Sequence, residues 1–347
     1  MLLTAWALVA VALYVIAGIR KDVSSAEGAA KYAIMGVASS SLMLYGIAIM
    51  FSSFKTTNLS LMEFNITKEG LHLLIIGLLL LIASFGFKLG VVPFHGWLLD
   101  VYGGVHPILV SYIAGVVKIS GIIAILRVLY PFSTIIGNVW FSIFAILSIA
   151  TMTFGNIVAL LQDNVQRIMA YSSIAQAGYI LVGFASASTV GYKLGLEGIA
   201  LHIITYMLAK IGIFVALAYM VRRGVDLTFK GISGLGRRMP VISLSITILV
   251  LSLMGVPPFI GFWSKFLYLF LSVLPIAPWL TLIAAINSGI SVGYYAQIIR
   301  YLYFVEPQTD VKEYKGDAEV IISLITAILS IILGLGPAIM NAPYLTL

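Results

Sequence analysis

Long apolar runs alternate with short polar segments along the chain. Ten such runs occur, and about 20 apolar residues suffice for a helix to cross the hydrocarbon core of a bilayer. The runs are 2–19, 28–52, 70–92, 107–130, 136–161, 167–187, 195–221, 240–272, 277–304 and 319–340. The pattern therefore predicts an all-α integral membrane protein with about ten transmembrane helices.

Two of the runs contain proline clusters that predict broken helices. The third run ends in "GVVPFHGW" near residues 84–97, and the eighth contains "GVPPFIGFW" near residues 250–266. Proline removes a backbone donor and clashes with the preceding turn, so a helix breaks there. Broken helices at membrane depth occur where protein or a water-filled cavity surrounds them, and transporters often use them at the functional site.

Composition agrees with the membrane class. Hydrophobic residues make up 61% of the 347 positions and charged residues only 10%. The chain has no cysteine, which excludes disulfides and thiolate or iron–sulfur ligation by its own side chains. The first run lacks a basic flank and a small-residue cleavage site, so we interpret it as a retained helix.

The basic residues predict the orientation in the membrane. Counting loops from the amino terminus, eleven of the 20 lysines and arginines lie in odd-numbered loops and four in even-numbered ones. Five of the eleven fall within residues 222–238. Cytoplasmic loops carry the excess of lysine and arginine, so the odd loops are expected in the cytoplasm and both termini outside.

Five basic residues lie inside the apolar runs, and all five are lysines: Lys31, Lys88, Lys118, Lys210 and Lys265. A charge at the bilayer centre costs roughly 2.5–3.5 kcal/mol on insertion scales. Burial can lower the pKa of a lysine by about 3–5, whereas arginine stays charged. Buried lysines are therefore suited to a proton relay.

Histidine and tyrosine accompany these lysines. His202, Tyr206 and Lys210 recur at a spacing of four, which places them on one helix face. His95 follows the first proline break and, with His106, flanks a predicted loop. The simpler alternatives are that Lys31 pairs with Glu27 one turn earlier, that Lys31 and Lys210 extend towards the headgroups, and that the histidines are structural.

Motifs of soluble enzymes are absent from the sequence. It contains no phosphate-binding loop, no dinucleotide fingerprint and no G-x-S-x-G elbow. We expect no cofactor and no metal ion to bind this chain.

Several long motifs resemble one membrane family. "GFKLGVVPFHGWLLDVYGGVHPILVSYIAGVVKISG" is similar to the antiporter-like membrane subunits of proton-pumping complex I (NADH-quinone oxidoreductase) and their Mrp antiporter relatives. "FGNIVALLQDNVQRIMAYSSIAQAGYILVG" and "GVPPFIGFWSKF" look most like subunit N, the mitochondrial subunit 2 type.

The resemblance implies two inverted five-helix repeats, each a half-channel around a broken helix. The expected division is 1–130, 131–305 and a C-terminal loop and helix at 306–347. It implies that Lys88 and Lys265 are the lysines of the two broken helices, that Lys118 links them through the centre, and that Lys31 modulates the first.

The sequence departs from the family pattern at two places. The family has a glutamate on the helix corresponding to residues 2–19, where this chain has Trp6 and Ala7, so Lys88 lacks its expected partner. The chain also begins where the family's fifth helix begins, so the resemblance leads us to expect either that about four N-terminal helices of the family pattern are missing or that the sequence is truncated.

The resulting expectation is a proton-translocating subunit of a respiratory oxidoreductase in the plasma membrane, relaying protons through Lys88, Lys118 and Lys265. Lys31, Lys210, His202 and His95 would support the relay. Iron–sulfur clusters, flavin and quinone would belong to partner subunits of the complex. The alternatives are an Mrp-type Na⁺/H⁺ antiporter, a hydrogenase-like complex, or a spacer that has lost pumping. The electron donor stays open.

Overall fold

The computed structural model describes residues 2–20, 22–62, 68–307, 311 and 317–340, and these are almost entirely helical. The α-helices are α1 (Leu2–Ala17), α2 (Val23–Phe54), α3 (Leu59–Met62), α4 (Lys68–Leu89), α5 (Gly96–Gly104), α6 (Pro107–Tyr112), α7 (Lys118–Leu129), α8 (Ser133–Leu160), α9 (Val165–Ala185), α10 (Tyr192–Arg222), α11 (Leu235–Arg238), α12 (Pro240–Met254), α13 (Ile260–Phe262), α14 (Leu271–Val273), α15 (Pro278–Phe304) and α16 (Ala318–Met340). Two π-helical segments, Ile113–Val117 and Trp263–Phe270, continue α6 into α7 and α13 into α14.

The ten apolar runs coincide with helices, which confirms the predicted fold class. Within the described ranges, seven helical segments are long and apolar enough to cross a membrane, and shorter apolar helices account for the rest. One of the seven, Pro107–Leu160, contains both the fourth and the fifth predicted run, separated by a 3₁₀ turn at Tyr130–Phe132. The division into half-channel repeats stays a prediction. Residues 308–310, 312–316 and 341–347 of the predicted C-terminal part lie outside the described residues, as does Lys21, one of the odd-loop charges.

The first predicted break lies where α4 ends, and Gly90 there has a left-handed φ of 70°. The predicted loop between His95 and His106 is wrong, because most of it forms α5. Trp97, Leu98, Val101 and Tyr102 of α5 are buried. Their spacing of one, three and four positions is that of a single helix face, so packing of this face stabilises a second half of the broken helix.

The second break separates α12 from α13 and leaves two carbonyl groups free. In a continuous helix, Leu253 O and Met254 O would accept hydrogen bonds from the residues four positions later. Those residues are Pro257 and Pro258, which have no N–H. The two carbonyls are consequently available to side chains inside the bundle.

Helix α9 forms the centre of the bundle, because every residue from Ile168 to its end at Ala185 is buried. Glycines bring α8 against it: a Cβ on Gly155 would lie 2.6 Å from the backbone N of Ala175, and one on Gly178 would lie 2.5 Å from that of Met152. Only glycine allows α8 and α9 to approach this closely. The polar side chains of α9 are therefore enclosed by neighbouring helices.

The odd-numbered loops meet on one face of the molecule. The loop before α9 and the 222–238 loop share two backbone hydrogen bonds, Val165 N to Leu227 O and Phe229 N to Asp163 O. At the end of α10, Arg222 and Arg223 both pair with Asp317 before α16, at 3.0 and 2.7 Å. The hydrogen bond from Arg223 holds the pKa of the Asp317 carboxyl below its usual range.

Candidate functional site

Four of the five lysines of the apolar runs are buried inside the bundle. Lys88 is 5% exposed and Lys118 3%, while Lys210 and Lys265 are fully enclosed. Lys88 lies in the last turn of α4 before the first break, and Lys265 lies in the π-helical segment after the second. Lys118 directly follows the other π-helical segment. Such segments are frequent at functional sites.

Lys265 binds the backbone that the second break exposes. Its Nζ donates to Leu253 O at 2.8 Å and to Ser288 Oγ at 3.2 Å. The ring of Tyr179 lies 4.2 Å from the same Nζ, close enough for a cation–π contact. Because Pro257 has no N–H to donate to Leu253 O, this carbonyl can accept the shorter of the two hydrogen bonds from Lys265.

Lys118 and Lys210 approach one another across a shared ring. Tyr206 lies 5.0 Å from Lys118 Nζ and 5.7 Å from Lys210 Nζ. Lys118 donates to Ser173 O at 2.7 Å. The two ammonium groups thus share one aromatic ring, and each has its own carbonyl acceptor on α9.

Lys210 contacts the polar face of α9. Its Nζ donates to Met169 O at 2.8 Å and to Ser172 Oγ at 2.9 Å. Because α9 is central, this contact connects α10 to the bundle interior and not to the membrane surface. The alternative that Lys210 extends to the headgroups is wrong.

A continuous series of hydrogen bonds leads from Lys210 to Lys265 through α9. Ser172 Oγ is hydrogen bonded to Tyr295 OH. Gln176 Nε2 donates at 3.3 Å both to Tyr295 OH and to Leu253 O, the carbonyl that Lys265 also binds. Side chains of α9, α10 and α15 and the break of α12 thus form one buried polar axis.

His202 joins this axis as the sequence predicts. Its Nε2 lies 3.0 Å from Gln176 Oε1 and its Nδ1 lies 3.0 Å from Ser264 Oγ, one residue before Lys265. With Tyr206 under two lysines, the spacing of four along α10 does place these groups on one inward face.

Lys88 has different surroundings. The indole of Trp6, on α1, lies with its centroid 5.0 Å from Lys88 Nζ. Trp6 is one of the two residues that stand where the resemblance leads one to expect a glutamate. Among the described residues, no ion pair involves Lys88 or any other buried lysine.

The structure does not bring Lys31 or His95 to the axis. Lys31 is 45% exposed and pairs with Glu27 Oε1 at 2.7 Å and with Asp100 Oδ1 at 3.1 Å, so the simpler alternative of an i, i+4 ion pair describes it. The ring of His95 packs on Phe154 at 4.4 Å. No contact of the described residues links either side chain to a buried lysine.

Several members of the axis were not singled out from the sequence. Ser172, Ser173 and Gln176 lie in "AYSSIAQAGY", inside the sixth apolar run, which predicts a membrane helix but no site residue. Tyr179, whose ring faces Lys265, extends the axis to Asn156 on α8, because Asn156 Nδ2 donates to the Tyr179 hydroxyl at 3.0 Å. The available signal was the four-residue spacing of serine and glutamine in an otherwise apolar helix.

The arrangement suits proton transfer more than permanent charge storage. Lysine, histidine, serine, glutamine and tyrosine all exchange hydrogen bonds along the axis, and carbonyls and ring faces solvate each ammonium. Within the described part of the chain, the four buried lysines face no acidic side chain, so a lysine that releases its proton leaves no unpaired carboxylate behind.

Comparison with known proteins places the chain in a family. The model of the family "NADH:quinone oxidoreductase/Mrp antiporter, TM" matches residues 1–291. The chain is 36% identical over 327 residues to NADH-quinone oxidoreductase subunit N of Trichlorobacter lovleyi, covering 92% of this chain and 66% of the relative. It is 35% identical over 319 residues to F(420)H(2) dehydrogenase subunit N of Methanosarcina mazei, covering 89% and 64%.

Structural comparison agrees. The membrane-bound sulfane sulfur reductase, an archaeal respiratory membrane complex, contains a chain that superposes with a TM-score of 0.86 at 27% identity, covering 98% of this chain and 69% of that one. The chain thus spans about two thirds of the length of the two subunit N relatives, at 66% and 64%. The match over residues 1–291, together with the identity to subunit N proteins, shows that this chain belongs to the NADH:quinone oxidoreductase/Mrp antiporter family of membrane proteins.

Proposed function

We propose that this chain is a proton-translocating membrane subunit of a complex I-like respiratory oxidoreductase. The observation that carries the proposal is the buried axis, in which Lys210 and Lys265 are joined by Ser172, Tyr295 and Gln176. Ionisable residues that face the interior of a membrane bundle and bind backbone carbonyls or one another are typical of ion and proton pathways.

Protons move along the axis because each charge changes the proton affinity of its neighbour. A proton on Lys118 opposes a second proton on Lys210 across Tyr206. Protonation of Lys210 reorients the Ser172 and Tyr295 hydroxyls and favours release from Lys265. Lys88 loads the axis from the first broken helix.

The energy comes from electron transfer in partner subunits. The two relatives are named as subunits of dehydrogenases that use different donors, NADH and F(420)H(2). Flavin, iron–sulfur clusters and quinone belong to partner subunits in this proposal. The chain lies in the plasma membrane beside other membrane subunits of the complex.

Replacing Lys265 tests the proposal. We expect Lys265→Ala to lower proton pumping by about a hundredfold, the low end of the effect of losing a proton-transfer group. Coupled electron transfer falls with it, while the amount of assembled complex changes little. Pumping is measured in vesicles that contain the purified complex, with Lys193→Ala, on the exposed start of α10, as the control.

Normal pumping by Lys265→Ala in fully assembled complex would instead support a structural spacer.

A second candidate function is Na⁺/H⁺ exchange, or a role as a subunit of a hydrogenase-like complex. It is favoured by the Mrp antiporters in the family and by the likeness to the sulfane sulfur reductase. Pumping that requires Na⁺, or co-purification with small antiporter subunits, would favour this candidate.

A further inference from the structure

Lys88 differs from the other buried lysines in its hydrogen bonding. Lys118, Lys210 and Lys265 each donate to a backbone carbonyl at 2.7–2.8 Å. In the part of the chain that the structure describes, no acceptor lies within hydrogen-bonding distance of Lys88 Nζ, although the residue is only 5% exposed. A buried ammonium needs some other group to stabilise its charge.

The group that faces this ammonium is the indole of Trp6. The ring is 8% exposed and its centroid lies 5.0 Å from Lys88 Nζ. Phe85, one turn before Lys88 on α4, packs edge-on against the same ring at 5.2 Å and fixes its orientation. The negative face of an indole attracts a cation more strongly than that of any other side-chain ring.

A cavity of about 150 Å³ adjoins the pair. It lies between α1, α4 and α7 and is lined by Ala5, Trp6, Val9, Lys88, Ser120, Gly121 and Ala124. It opens to the outside of the chain, since Ala5 and Val9 are exposed, and its volume is enough for several water molecules. The ammonium therefore adjoins both the indole ring and a space that water can enter.

We propose that Trp6 is a positioning residue for proton transfer at Lys88: its uncharged indole face attracts the ammonium through the ring quadrupole and holds it beside this cavity. This inference rests on the proposed proton-pumping function. It assigns Trp6 the part that an acidic side chain would otherwise play. The ring stabilises the charged lysine without offering a base that could capture its proton.

Graded fluorination of Trp6 tests the inference in the intact complex. Fluorine withdraws charge from the ring face and changes its size little. The indole of residue 6 carries one, two or three fluorine atoms in successive variants. Because each fluorine weakens the attraction of the ring for the charged lysine, we expect the loss of pumping at alkaline pH to move stepwise to lower pH, by up to about one pH unit. The control is the same series at Trp140, whose Nε1 donates to Phe184 O and which faces no lysine among the described contacts.

A second readout does not depend on pumping. The ¹⁹F resonance of monofluorinated Trp6 should titrate with pH, and this titration should disappear in Lys88→Met. If the titration is present but Lys265→Ala pumps normally, the contact stands and the proposed function fails. If the resonance does not titrate, or fluorination shifts the pH profile equally at Trp6 and Trp140, the inference on Trp6 is overturned.

Discussion

Three of the four buried ammonium groups, those of Lys118, Lys210 and Lys265, donate to backbone carbonyls. Lys265 has an acceptor because Pro257 cannot donate to Leu253 O. Lys118 and Lys210 bind carbonyls of α9 in addition to the ring of Tyr206. Neutral partners of this kind solvate the charged form yet leave the lysine free to lose its proton, which a paired carboxylate would resist.

Gln176 connects the part of the axis at Lys210 with the part at Lys265, so replacing its side chain should interrupt proton transfer. We expect Gln176→Leu to lower pumping by roughly tenfold, equivalent to a barrier raised by about 1.4 kcal/mol. Leucine has a similar size but cannot bridge Tyr295, His202 and Leu253 O. Pumping in vesicles is the measurement, and Gln162→Leu, half-buried in the loop between α8 and α9, is the control. Equal pumping by the two variants would show that protons bypass Gln176.

The sequence identifies the lysines of the axis but not their connections. A lysine within an apolar run is conspicuous because its burial is costly, and Lys88, Lys118, Lys210 and Lys265 are all buried as expected. Serine, glutamine and tyrosine cost little in membrane helices, so the four-residue spacing of Ser172 and Gln176 is a weak signal and Tyr295 has none. Which acceptor a lysine meets depends on the packing of distant helices.

At the level of elements, proline predicts both helix breaks and packing decides the rest. The clusters at Pro93 and at Pro257–Pro258 break their helices where expected. The π-helical segments directly before Lys118 and around Lys265 were not predicted, because the apolar runs there are typical of any membrane helix. Helix α5 was missed because nine residues containing three glycines and an aspartate look like a loop.

Close packing of α8 on α9 keeps the axis enclosed, and Gly178 tests this. A Cβ at this position would lie 2.5 Å from Met152 N, so Gly178→Ala must separate the helices. We expect it to destabilise the chain by about 1–3 kcal/mol, the usual effect of overpacking. The thermal unfolding temperature in detergent is the measurement.

Gly289→Ala provides the matched control, since nothing lies within 4 Å of its added Cβ on α15. Alanine is the better helix former by about 1 kcal/mol, so this variant should unfold at the same temperature or higher. A Gly178→Ala variant as stable as Gly289→Ala would contradict the described packing.

At the level of the whole molecule, the two sets of loops lie on opposite faces. Backbone bonds join the odd-numbered loops, as between Phe229 N and Asp163 O, while on the other face the Ser133 hydroxyl, at the start of α8, donates to Ala187 O just after α9. The alternation predicted from apolar runs is therefore present in the structure. That the odd-loop face is cytoplasmic stays a prediction from its basic residues. The polar axis lies between the two faces, as transfer across a membrane requires.

The most direct measurement of the central claim is the number of protons moved per electron pair by the complex carrying Lys265→Arg. Arginine keeps a positive charge beside Leu253 O but does not release its proton at working pH. The amount of assembled complex and its unfolding temperature establish that the larger side chain is accommodated. If Lys265 must lose and regain a proton in each cycle, the ratio falls below that of the unsubstituted complex, while Lys193→Ala leaves it unchanged. An unaltered ratio with Lys265→Arg would contradict the relay.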